Sequence, residues 1–122
     1  MGEENWQKIQ TALGHRFSRL DFLREALTHP SCKVEAAMTR DYQRLEFLGD
    51  AVLGLVLAEA LFASAEAASE GNLTAARARL VRGRKLAEKG RELELGRCLR
   101  VPEQPGAEKI RELDKAHEDA LE

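Results

Sequence analysis

Along most of this chain, apolar and polar positions recur at intervals of three and four residues, the period of helices whose one face is buried. Trp6, Ile9, Gln10 and Leu13 lie at helical spacing and Gly14 follows as a C-terminal cap, which predicts a first helix from about Asn5 to Leu13. Ser18, with Asp21 three residues later, reads as a capping box ahead of Leu20, Phe22, Leu23, Ala26 and Leu27. That places a second helix from about Arg19 to Leu27, and Pro30 blocks its continuation. A polar stretch from Ser31 to Arg40 leads into the longest element, from about Asp41 to Ser64, apolar around most of its circumference as a central helix would be. Gly71 and Asn72 form a turn and N-cap for Leu73 to Val81, Gly83 marks a break, and a further helix runs from about Arg84 to Glu92. Val101 to Gly106, with two prolines, is a loop; Ile110, Leu113, Ala116 or His117, and Leu121 then recur at helical intervals from Glu108 to Glu122. No stretch alternates β-branched residues as strands do, so the predicted class is all-α. No internal repeat is visible, and the one biased patch is Ala63 to Glu70.

With 122 residues, 43% hydrophobic, a single domain spanning 1–122 is expected. A domain of this size folds without disulfides, so Cys32 and Cys98 are expected to be reduced thiols of a cytoplasmic protein. The N-terminus has neither the regions of a signal peptide nor the Ser or Thr of a myristoylation site. The best apolar run, Leu45 to Phe62, contains Glu46, Asp50 and Glu59, so no membrane span is expected. The net charge of −2 hides an asymmetry. Arg77 to Arg91 holds seven bases and one acid, whereas Glu103 to Glu122 holds seven acids and three bases. The basic segment is either a solvated helix face or a surface for a polyanion.

Two acids inside the apolar helix need a reason. Glu46 and Asp50, at i and i+4, sit about 40° apart around the axis, one turn above the other. Such a like-charge pair is unfavourable, more so beside Leu45, Phe47, Leu48, Val52 and Leu53, and requires a compensating cation. An arginine is one candidate. A divalent ion is the other, because Asp119 and Glu122, at i and i+3 of the last helix, form a second pair on one face. Two helices each offering two carboxylates suit Mg²⁺ or Mn²⁺, which take oxygen ligands. Gly49 and Gly54, each costing about 1 kcal/mol within a helix, imply a close neighbour, either a second helix of this chain or a partner subunit. His15 and His117 have no Cys or His at zinc-ligand spacing, and neither cysteine has a catalytic context.

The run Tyr42-Gln43-Arg44-Leu45-Glu46-Phe47-Leu48-Gly49-Asp50-Ala51-Val52-Leu53 closely resembles the signature helix of the ribonuclease III family. Ala26-Leu27-Thr28-His29-Pro30-Ser31, then Glu70-Gly71-Asn72-Leu73 with Arg79-Leu80-Val81, and Asp119-Ala120-Leu121-Glu122 are similar to three further family segments, in family order. The resemblance implies an all-helical, homodimeric endonuclease domain. It implies Mg²⁺-dependent hydrolysis of double-stranded RNA, with 5′-phosphate and 3′-hydroxyl products and Mn²⁺ as a possible substitute. By position, Glu46, Asp119 and Glu122 would ligate the metal, and Asp50 and Glu122 would be catalytic, Asp50 by holding the water shell and placing the nucleophile. Phe47 would enter a pocket on the partner, with Gly49 as a close-approach point in the dimer. Gln43, Glu70, Arg77, Arg82 and Arg84 are candidates for RNA contact, and His29 is expected to be structural.

Two departures stand out. Gln43 replaces the glutamate usual in the family, removing one charge. The family's last helix continues past the acidic motif, whereas this chain ends at Glu122 and carries no double-stranded-RNA-binding domain, so a fragment of a longer enzyme is expected. The alternative reading is a catalytically impaired relative that binds structured RNA or dimerises.

Overall fold

The structure, a computed structural model, describes residues 3–32, 40–102 and 104–122. Most of the predicted polar stretch and one residue of the 101–106 loop therefore lie outside the described residues. Among the described residues eight helices follow one another: α1 (Glu3–Leu13), α2 (Leu20–Ala26), α3 (Gln43–Ser64), α4 (Glu70–Leu80), α5 (Gly83–Glu92), α6 (Leu95–Cys98), α7 (Ala107–Glu112) and α8 (Asp114–Leu121). Among the described residues the only extended pairing is a single parallel bridge between Thr28 and Arg100, so the all-α class holds.

Three local expectations are corrected. The residue that opens α2 is Arg19, and no side chain caps it, so Ser18 and Asp21 form no capping box. The cap of α4 is Ser69, whose hydroxyl accepts the Asn72 N–H at 3.2 Å, which places Gly71 and Asn72 within the first turn. The single helix expected over 108–122 is two helices, because Leu113 adopts an extended conformation between them. Arginines hold that break in place. Arg91 donates to the Glu112 carbonyl at 2.8 Å and pairs with Asp114, while Arg111 donates to the carbonyls of Gly96 at 3.0 Å and Leu99 at 2.7 Å. The one-turn helix α6 has too few residues to show a period, and its start, Glu94, lies in the left-handed region at φ 55°.

The core has two adjoining parts. Ile9 of α1, Leu23 and Leu27 from α2 and its end, and Leu95 and Cys98 of α6 form one, flanked by Trp6, Phe17 and Leu121. Tyr42, Leu99 and Ala116 form the other. Backbone bonds stitch them together. Arg100 N–H donates to the Leu27 carbonyl at 2.7 Å, His29 N–H to that of Arg100 at 3.0 Å, and Tyr42 N–H to that of Thr28 at 3.0 Å. The entry to α3 is thereby tied to the exits of α2 and α6.

The most extensive helix contact joins α5 to α8. It is close because Gly90 lacks a side chain: a Cβ there would meet the His117 Cβ and carbonyl oxygen at 2.9 Å. Gly96 of α6 makes room for the His117 ring in the same way. His117 is consequently buried, with Nδ1 2.8 Å from the Leu113 carbonyl.

The expectation that α3 is central is overturned, for none of its 22 residues is buried. Phe47 is 84% exposed, Phe62 76% and Leu55 68%. The apolar circumference seen in the sequence is real, but this chain covers too little of it. The helix is also long and apolar enough, by length and composition, to cross a membrane, since an 18-residue stretch within it holds no more than two charged side chains. The exclusion drawn from its three acids therefore does not hold.

Two glycines separate packing from propensity. Gly90→Ala overpacks α5 against α8 and is expected to lower stability by about 1–3 kcal/mol. Gly71→Ala, on α4 with no neighbour closer than the Ser69 hydroxyl at 4.0 Å, is expected to raise it by up to about 1 kcal/mol. Urea unfolding of both variants beside wild type measures the contrast.

Candidate metal centre

Three of the four acids singled out on the chain, Glu46, Asp50 and Glu122, line one cavity, and the fourth, Asp119, is buried beside it. Glu46 and Asp50 sit one turn apart on the first half of α3, and α8 crosses that half carrying Asp119 and leading into Glu122. The crossing is close because of Gly49. A Cβ at that position would overlap the Glu122 carbonyl, so only glycine lets the end of α8 reach the level of Glu46. The close approach expected at Gly49 between subunits is thus made within the chain. Gly54, in contrast, has nothing within 4 Å.

Carboxylate oxygens of Glu46, Asp119 and Glu122 all lie within 4.8 Å of one another. The cavity around them, about 370 Å³, is lined by Gln43, Glu46, Phe47, Asp50, Lys115, Glu118 and Glu122. Its electrostatics are unbalanced: four lining carboxylates, with the buried Asp119 beside them, face the Lys115 ammonium. Lys115 Nζ lies 2.6 Å from Asp119 Oδ1, 3.8 Å from Glu46 Oε1 and 3.9 Å from Glu118 Oε2. Contact with Asp119, above all, raises the Lys115 pKa. Burial and then Asp119 raise that of Glu46, while burial and then Asp50 push Glu122 up to about 7. Both glutamates hold their protons more tightly than usual because burial disfavours the charged carboxylate, and neighbouring acids add to this more than one lysine relieves.

A divalent cation fits this donor set. Asp119 Oδ1 is buried and accepts no hydrogen bond of good geometry, although the Lys115 ammonium stands beside it. Its other oxygen, Oδ2, accepts from the Tyr42 hydroxyl at 3.3 Å. A buried carboxylate oxygen with a lysine ammonium beside it and two more carboxylates within 4.8 Å offers oxygen ligands of the kind a hard ion prefers.

The remaining predicted residues fall elsewhere. Gln43 stands exposed on the cavity wall. Glu70 is exposed in the first turn of α4, where it accepts from the Thr74 hydroxyl at 3.1 Å. Arg77, Arg82 and Arg84 are exposed on α4, the α4–α5 link and α5, outside the cavity lining. Arg84 pairs loosely with Glu88 at 3.6 Å, and Arg77 and Arg82 pair with none of the described residues. Arg91, at the end of the same basic segment, is engaged in holding the α7–α8 link. Phe47 stands exposed at the cavity rim. His29 is structural, as expected: its Nδ1 lies 2.7 Å from the Ser31 hydroxyl, its ring meets Tyr42 edge-on, and burial lowers its pKa.

Sequence reasoning missed Lys115, Glu118 and Tyr42. The first two had a signal, since Lys115, Glu118, Asp119 and Glu122 fall at i, i+3, i+4 and i+7. Tyr42 had none, because its partner lies 77 positions away.

Residues 20–122 match the family model for ribonuclease-III-like domains. Over 94 residues the chain is 46% identical to a protein of Photorhabdus laumondii named Ribonuclease 3; the match covers 77% of this chain and 39% of that protein. Two solved structures of the nuclease domain of ribonuclease III from Campylobacter jejuni superpose with TM-scores of 0.85 and 0.84, both at 35% identity. Each match covers 94% of this chain, and 78% and 76% of those chains respectively. The first of these structures concerns flexibility in the region involved in that domain's dimer formation.

The raised Glu122 pKa makes metal-free stability depend on pH with a defined sign. Between the ordinary value of 4.5 and about 7, the folded chain retains a proton that the unfolded chain has lost. Stability therefore falls as pH rises through this window. The His29 shift acts in the opposite sense, so the informative quantity is the difference between variants. In a chelating buffer, Glu122→Gln is expected to lose less thermal stability than wild type between pH 5 and pH 7.5, with Mg²⁺ restoring wild type at the upper end. Melting curves at both pH values measure it.

Proposed function

The chain belongs to the ribonuclease-III-like family, and from that premise we propose that it is an endonuclease domain that hydrolyses phosphodiesters of double-stranded RNA with Mg²⁺, leaving 5′-phosphate and 3′-hydroxyl ends. The observation that carries this reading is the convergence of Glu46, Asp119 and Glu122 from two helices far apart in sequence, with Asp50 in the same cavity. Glu46, Asp119 and Glu122 would hold the ion, and Mn²⁺ would also be accepted. The bound ion supplies Lewis acidity and neutralises charge on the phosphodiester. Asp50, exposed in the cavity, offers its carboxylate to orient the attacking water and take up its proton. Glu122, which without metal holds its proton up to about pH 7, would release that proton on ligating the ion. Gln43, lacking charge at the cavity wall, would hydrogen-bond RNA or water without contributing to cation binding.

The same reading assigns the surfaces. Arg77, Arg82 and Arg84 would meet RNA phosphates, which favours recognition of duplex shape over sequence. Glu70, at the start of the same α4, would lie near the bound strand. The bare apolar side of α3, with Phe47 projecting and Gly54 open, would be covered by a second copy, forming a homodimer whose twofold axis presents two cavities to the two strands. Neither surface requires a membrane. A cytoplasmic setting would keep the thiols of Cys32 and Cys98 reduced.

Incubation of a labelled RNA duplex of about two helical turns with the chain in Mg²⁺ tests the chemistry. Cutting by wild type, abolished in Asp50→Asn and in chelator, is expected; equal cutting by Asp50→Asn would remove that residue from the mechanism. Sedimentation at micromolar concentration tests the dimer, with wild type expected to sediment as a dimer and Phe47→Ala shifted toward monomer. If both are monomers, Phe47 is not a dimer anchor in this chain.

A further inference from the structure

We propose that Tyr42 is a positioning residue for the metal centre, its hydroxyl fixing the Asp119 carboxylate so that Oδ2 is held and Oδ1 is presented to the cation. The proposal rests on the metal reading given above and adds a residue outside the acidic set.

Tyr42 is suited to the role by its own restraint. It is 3% exposed and packs with Leu99 and Ala116. Its N–H is bound to the Thr28 carbonyl at 3.0 Å, and the His29 ring stands edge-on with centroids 5.8 Å apart. A phenol held in this way has little freedom to follow a mobile carboxylate, so the carboxylate is the member that is placed. Among the described residues, the hydroxyl's hydrogen-bond partner is Asp119 Oδ2 at 3.3 Å. Without it, a buried O–H would be left unsatisfied.

The two oxygens of Asp119 are thereby distinguished. Lys115 Nζ lies 2.6 Å from Oδ1 and 3.8 Å from Glu46 Oε1, which marks Oδ1 as the oxygen on the cation side of the cavity. Tyr42 occupies the other. The same residue also secures α3, because its carbonyl accepts the Glu46 N–H at 2.8 Å. One residue thus joins the two ligand-bearing helices: its backbone holds the turn that carries Glu46, and its side chain holds Asp119. Partners that orient ligands in this manner contribute about 10–100-fold to metal affinity.

Calorimetric titration of the 122-residue chain with Mg²⁺, wild type beside Tyr42→Phe, is the first arm of the test. The variant keeps the ring and removes only the hydroxyl, so a folded Tyr42→Phe is expected to bind Mg²⁺ about tenfold more weakly. Unchanged affinity in a folded variant overturns the proposal. The second arm uses the fact that Tyr42 is the single tyrosine, so an ultraviolet resonance Raman spectrum reports its hydroxyl alone. A hydrogen-bond-donor signature in metal-free wild type that is lost in Asp119→Ala supports the anchoring, and a signature indifferent to Asp119→Ala overturns it. This arm decides the case if Tyr42→Phe does not fold. It also separates the two ideas: if wild type takes up no Mg²⁺ at millimolar concentration, the metal reading fails, while the Raman comparison still tells whether Tyr42 fixes Asp119.

Discussion

Seating α8 at near-backbone distance against its neighbours is the constraint on which the rest of the molecule depends. Gly49 admits the Glu122 backbone, Gly90 admits His117, and Gly96 makes room for the His117 ring and the Arg111 carbonyl. Each contact would be obstructed by a single methyl group, and together they leave α8 little latitude to slide or turn. The arginines at its start act in the same direction. Arg91 and Arg111 anchor the α7–α8 link to α5 and to the end of α6, so the helix is fixed at its origin as well as along its length. A helix held in this way delivers its carboxylates to one place, which is what a metal centre requires.

That delivery creates an electrostatic burden. Four carboxylates line the cavity with Lys115, Asp119 is buried beside it, and burial followed by neighbouring negative charge raises the pKa values of Glu46 and Glu122. In the absence of a metal, Lys115 serves as a tethered cation near Asp119 Oδ1. In the proposed reading, a divalent ion bound at this acidic site would stabilise the folded chain by mass action. Side chains set for chemistry thus cost stability that packing elsewhere, chiefly around Leu99, Leu27 and Ile9, must offset.

Helix α3 divides its circumference between two tasks. One side carries Glu46 and Asp50 toward α8, the rest leaves Val52, Leu55, Val56 and Phe62 uncovered, and Phe47 stands exposed at the cavity rim. The apolar area on that second side is far more than a solvated helix normally presents. In the proposed dimer the helix that bears the chemistry is also the helix that joins subunits, which places the two cavities at a fixed relation to each other.

Much of this was legible in the chain itself. Helical periodicity marked α1, α2, α3 and α5 to within a few residues, and the spacing of Glu46 with Asp50 and of Asp119 with Glu122 marked two acidic faces, because both features are local and repeat with the turn of a helix. What periodicity cannot carry is the environment of a face. The apolar circumference of α3 read as a buried core, yet the chain leaves it bare. The period from Ile110 to Leu121 read as one helix, yet arginine-to-carbonyl bonds from remote segments break it at Leu113. The sequence by itself determined the helical class, the family and the two acidic pairs, since these are written in spacing and residue type. Only the tertiary structure decided that the two acidic faces meet, that Gly49 serves that meeting, and that Tyr42, 77 residues away, holds Asp119 in place. Contacts between distant segments are set by how whole helices pack, and no local pattern encodes them.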